Sequence, residues 1–145
     1  RQRQMCKETG IKEITEIYGK YVVNYESFAK LSPYILPGSY AYSYLSRISR
    51  TNIWLEVSRE PVFSDMKVYN YQSYTKDCFS CEVSFDLQVS YNSGSFKDYP
   101  THMEYIFVKR SGKWYIADMV MLSSIDNGIP PARLYMAYAL MDYCA

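Results

Sequence analysis

Between residues 9 and 30 the apolar side chains Ile11, Ile14, Tyr18, Tyr21, Val22, Tyr25 and Phe28 recur at three- and four-residue steps. Lys12, Glu13, Glu16, Lys20, Asn24 and Lys30 fall mostly on the opposite side. That period predicts one long amphipathic helix over 9–30. The pairs Glu16→Lys20 and Glu26→Lys30 have the i,i+4 order that supports a helix. Gly19 costs a mid-helix position about 1 kcal/mol against Ala, which points to a close approach by another element. Pro33, Pro37 and Gly38 then punctuate a connector, and Tyr44, Leu45 and Ile48 resume a helical spacing over 39–50. Residues 53–60 read either way: Ile53, Leu55 and Val57 alternate as in a strand, yet a helix could run on until Pro61 stops it.

From Val62 the period becomes two. Cys81, Val83, Phe85, Leu87, Val89 and Tyr91 alternate with Glu82, Ser84, Asp86, Gln88 and Ser90, which predicts a strand with one buried and one wet face. An earlier strand is expected near Met66–Thr75, a turn at Asn92-Ser93-Gly94-Ser95 and a strand over 99–110. Ser111-Gly112 reads as a tight hairpin turn, leading to a strand over Trp114–Leu122.

The two strands around that hairpin are apolar on both sides. Met103, Tyr105 and Phe107 oppose Ile106 and Val108, and strict alternation sets Trp114, Ile116, Val120 and Leu122 against Tyr115, Ala117, Met119 and Met121. Both faces therefore need cover, and helices at 9–50 supply only one. The second cover is expected to be the tail or another subunit. Residues 131–144 read as a helix with Pro at its first turn, apolar nearly all round through Leu134, Tyr135, Met136, Ala137, Tyr138, Leu140, Met141 and Tyr143.

The expected fold class is α+β, with residues 1–145 forming one domain: helices at 9–30 and 39–50, an antiparallel sheet over 62–122 and a terminal helix at 131–144. Composition adds two constraints. The 17 tyrosines suit half-buried sheet faces, pocket walls and interfaces. A net charge of +1 with both signs dispersed leaves no electrostatic footprint for nucleic acid. The clusters Arg1/Arg3 and Lys109/Arg110/Lys113 read as solvated surface. No apolar run approaches the ~20 residues of a membrane span. The chain begins Arg1-Gln2-Arg3 with no initiator Met, and is read as a piece of a longer protein with an upstream signal or anchor.

The cysteines are Cys6, Cys78, Cys81 and Cys144. Cys78-x-x-Cys81 has zinc-knuckle spacing, but no second pair or adjacent His completes a tetrahedral site. A redox pair normally opens a helix, whereas this one leads into a strand. Thiols or structural disulfides are the expectation, with a Cys6–Cys144 staple among the open pairings. No metal or cofactor is expected.

The order long helix, shorter helix, then long antiparallel strands resembles the nuclear transport factor 2-like superfamily, in which helices and a curved sheet form a cone. The run Tyr105-Ile106-Phe107-Val108-Lys109-Arg110-Ser111-Gly112-Lys113-Trp114-Tyr115-Ile116-Ala117-Asp118 is similar to the aromatic strand, Gly-containing turn and Gly-Lys-Trp-x-Ile-x-Asp strand of that group. The likeness spans roughly residues 9–122 and leaves the terminal helix outside. It implies a fold used by isomerases, dehydratases, transport adaptors and envelope-anchored assembly domains, so function does not follow from it. Enzymes of this kind place an Asp or His inside the cone as general base. The candidates here are His102 and Asp118, with Asp86 set aside on the wet face, and Tyr105, Phe107 and Trp114 are candidate pocket walls. The competing readings are a rim histidine and a structural carboxylate.

No nucleophile, phosphate loop or metal cluster accompanies them. The leading expectation is thus a non-catalytic binding or assembly domain of a bacterial extracytoplasmic protein, tethered or secreted. It would engage a protein partner, or a second copy, through the sheet face or the terminal helix. The alternative is a small-molecule pocket protein or enzyme of the isomerase/dehydratase type using His102 or Asp118.

Overall fold

The computed structural model describes residues 2–47 and 57–122, with side chains from residue 8 onward. Helix α1 (Gln2–Val22) is followed by one turn of helix α2 (Phe28–Leu31), a 3-10 turn (Ser32–Tyr34) and helix α3 (Tyr40–Arg47). Strands β1 (Val62–Thr75), β2 (Cys78–Ser90), β3 (Phe96–Arg110) and β4 (Lys113–Met121) then form a four-stranded sheet in chain order, every pairing antiparallel. The expected terminal helix at 131–144 lies outside the described residues, as do 48–56.

The helices pack on one face of the sheet, here termed the first face. Ile11, Ile14, Tyr18 and Tyr21 of α1 and Ala41 and Leu45 of α3 share a core with Cys81, Val83, Phe85, Leu87 and Val89 of β2 and with Tyr91 just beyond it. All six of those alternating side chains, Cys81 to Tyr91, are buried, as their period predicts. Met103, Tyr105 and Phe107 of β3 join the same core, and Tyr21 donates to the Leu45 carbonyl at 2.6 Å, tying α1 to α3. At Gly19 α1 closely approaches the sheet: a Cβ there would stand 2.6 Å from the Phe63 ring.

Two expectations need correction. The helix over 9–30 breaks after Val22, because Asn24 adopts a left-handed φ of 66° and Tyr25 and Glu26 turn back to the Lys20 carbonyl. Asn tolerates that conformation, and the last carbonyls of the helix are satisfied by the turn. Tyr25 consequently leaves the apolar stripe and is exposed.

The second correction concerns β4. Its ladder slips between Ile106 and Phe107: Phe107 pairs with Ile116, whereas Ile106 pairs with Asp118. Ala117 is the extra residue of a bulge, and every side chain after it exchanges faces. Met119 and Met121 therefore lie on the helix-covered face with Trp114 and Ile116, and Val120 lies on the other.

The sheet edges are treated differently. At β4, Ile35 forms a parallel bridge to Ile116, and the Leu36 N–H donates to the Ile116 carbonyl at 2.9 Å. At β1, bulges with positive φ at Asp65 and Asn70 break the regular edge, a feature that discourages strand addition.

Candidate functional site

The second face of the sheet holds both candidate bases. His102 pairs with Ser84, and Asp118 pairs with Ile106, a member of the second-face cluster. Tyr105 and Phe107 lie on the first face and are buried in the core under the helices. Trp114 is half-buried on that same side, edge-on to Phe79 at 5.0 Å, and Phe79 stacks on Phe107 at 5.2 Å. The sheet backbone thus separates the aromatic candidates from the titratable ones.

His102 is held by Glu82, which period alone assigned to a wet face, and by Tyr69. Its Nε2 meets Glu82 Oε1 at 2.6 Å, and the Tyr69 ring stacks on the imidazole at 6.0 Å between centroids. The other Glu82 oxygen accepts from Asn70 Nδ2 at 3.0 Å. The β1 bulge that gives Asn70 its positive φ puts it in reach of Glu82. A carboxylate that orients an imidazole is half of an acid–base arrangement. Glu82 stands directly opposite Glu104 across the strands, a like-charge pair.

Asp118 has a different setting. Its Oδ1 accepts the Met119 N–H at 2.8 Å, and Oδ2 has no hydrogen-bond partner among the described residues. Burial pushes the carboxyl up from 3.8 to about 6, opposed by the Met119 N–H. The structure does not bring the two candidates together: four β3 residues separate their register positions, or roughly 13 Å along the strand.

Cys78 and Cys81 point to opposite faces, since Cys81 is a buried thiol in the helix-covered core and Cys78 belongs to the second-face cluster. They form neither a zinc half-site nor a dithiol. Cys78 is disulfide-bonded; the expected Cys6–Cys144 staple lies outside the described residues. Among the described residues no group of three His, Cys, Asp or Glu could hold a metal ion, and no helix is long and apolar enough to cross a membrane.

Sequence reasoning found His102 and Asp118 but missed Glu82, Asn70 and Tyr69. A signal existed in the charge of Glu82 on an otherwise neutral stretch of β2, but only strand register connects it to His102. No protein-family model matches the chain, and no curated protein matches it.

Proposed function

We propose that the chain is a non-catalytic binding or assembly domain with a nuclear transport factor 2-like cone and an added C-terminal helix. It acts outside the cytoplasm of a bacterium, in a tethered or secreted protein, and engages a protein partner through the second sheet face and the terminal helix. The observation that carries this reading is the separation of His102 and Asp118 from each other and from Tyr105 and Phe107. A general base needs an apolar pocket as well as a polar partner; Glu82 partners His102, but the aromatic side chains that would wall a pocket lie on the opposite face. The fold assignment is supported by helices stacked on one face of an antiparallel meander. The disulfide at Cys78 supports an oxidising compartment.

Asp118 favours the second reading, a small-molecule site, through its unpartnered oxygen and raised proton affinity. Titration with small apolar carbonyl compounds, followed by amide chemical shifts, separates the two. The binding-domain reading expects no saturable shifts around either residue. Saturable binding that Asp118→Asn or His102→Ala abolishes would establish the pocket reading instead.

A further inference from the structure

We infer that the end of the sheet carrying the β1–β2 and β3–β4 turns is a docking surface for an anionic phospholipid membrane. The first turn is Lys76-Asp77, and the second is Ser111-Gly112, flanked by Lys109, Arg110 and Lys113. The antiparallel order places both at one end of the sheet, two strand spacings or about 10 Å apart. They touch there: the Lys109 N–H donates to the Asp77 carbonyl at 2.8 Å. Lys76, distant in the chain, thereby joins the other three cations in one patch. The one carboxylate on the two turns is Asp77, while the whole chain is balanced at +1, so this end concentrates positive charge. None of the four cations forms an ion pair among the described residues.

The shape of the tip favours a plane over a groove. Lys76, Arg110, Ser111, Gly112 and Lys113 are exposed, and a Cβ on Gly112 would meet nothing within 4 Å, so the hairpin projects into solvent. A projecting tip offers no channel to track a nucleic-acid strand and no concavity for a small anion, but it can rest on a flat surface. Two half-buried aromatic rings stand just behind the charges. Lys109 Nζ lies 5.9 Å from the centroid of the Trp114 ring, and Lys113 Nζ lies 5.7 Å from that of Tyr115. Register sets Trp114 on the first face with Lys109, and Tyr115 on the second with Val108. Each side of the hairpin thus carries a ring capped by a cation. Trp and Tyr settle at the headgroup level of a bilayer, where an apolar ring and a polar edge are both satisfied. Lys stems lie along such rings and hold their ammonium groups among the phosphates. This inference goes beyond the binding-domain reading and does not depend on it.

Flotation of the full chain with lipid vesicles tests it. Each cation near an anionic surface contributes about fivefold in partitioning, and salt screens the attraction. The parent is expected to float with vesicles of mixed phosphatidylcholine and phosphatidylglycerol, to be released by high salt, and to stay behind with phosphatidylcholine alone. Arg110→Gln with Lys113→Gln is expected to lower the partition coefficient roughly twenty-five-fold, and Lys76→Gln alone, on the other turn, about fivefold. Lys30→Gln with Lys67→Gln removes the same charge as the first pair from exposed positions elsewhere and is expected to leave partitioning within about twofold. Failure of the parent to float with anionic vesicles would overturn the proposal. Equal losses for the tip and control pairs would also overturn it, as would flotation with neutral vesicles that salt does not weaken. Saturable binding to polyglutamate or to a short single-stranded oligonucleotide, without flotation, would refute the membrane and give the tip to another polyanion.

Discussion

The hydroxyls of Thr15 and Tyr105 meet at 2.8 Å inside the protein, joining the middle of α1 to the centre of β3. Thr15 spends its single hydroxyl proton on the Ile11 carbonyl at 2.7 Å, so the Tyr105 hydroxyl is the donor between them. Burial raises the Tyr105 phenol far above its ordinary value, against the pull of Thr15, and keeps that proton in place.

The direction of this bond makes the two partners unequal. Thr15→Val strands a buried donor on Tyr105, a loss of about 1–3 kcal/mol, whereas Tyr105→Phe leaves Thr15 bonded to Ile11 and costs about 1 kcal/mol. Urea unfolding is expected to rank Thr15→Val as the less stable, with the double variant losing less than the two single losses combined. Additive losses would show that the hydroxyls are not coupled.

Gly19 reverses the usual effect of alanine in a helix. Ala would gain about 1 kcal/mol in propensity, but its Cβ would meet the Phe63 ring at 2.6 and 2.7 Å, and that ring is packed on Phe85. Overpacking of this kind costs about 1–3 kcal/mol. Gly19→Ala is expected to lower the urea midpoint, and Phe63→Leu in the same chain to recover part of the loss. A higher midpoint for Gly19→Ala alone would mean that the ring yields freely.

Asp118 links stability to pH. Below 3.8 the folded and unfolded chains both carry the protonated acid, and burial exacts no ionisation penalty. As pH rises from 3.8 to about 6, the unfolded chain loses its proton first, and the folded state is progressively disfavoured. The full penalty is on the order of 3 kcal/mol above that window. Asp118→Asn is therefore expected to be more stable than the parent at neutral pH and nearly equal to it at acid pH. A difference independent of pH would remove the titration from the explanation.

The hairpin between β3 and β4 uses positive φ at both central residues, 54° at Ser111 and 78° at Gly112. That is a type I′ turn, in which Asn is the favoured first residue. Ser111→Asn is expected to raise the thermal midpoint slightly. Ser111→Val, which cannot adopt the left-handed conformation cheaply, should cost about 1–2 kcal/mol. Equal midpoints for the two would argue against this turn geometry in solution.

The alternation on β2 was legible from sequence because only one of its faces is strongly apolar, so a one-residue slip would expose Val83, Phe85 and Leu87. The buried stripe of α1 could be read through Tyr21 for the same reason. The end of α1 could not: Asn24 is an ordinary outward residue of a continuing helix until its φ turns positive. On β4 both faces are apolar, so alternation has no preferred phase, and nothing local to Ala117 marks it as the bulge. That phase decides whether Asp118 sits with Trp114 or with Ile106.

By itself the sequence determined the α+β class, the helix-then-meander order and the Ser111-Gly112 hairpin. Each follows from short-range periodicity and turn chemistry, which a few neighbouring residues specify. Tertiary structure alone decided the face of Asp118, the pairing of His102 with Glu82 and the engagement of Cys78 in a disulfide. Those depend on strand register and on which layer covers which face, and they arise only when segments distant in the chain pack together.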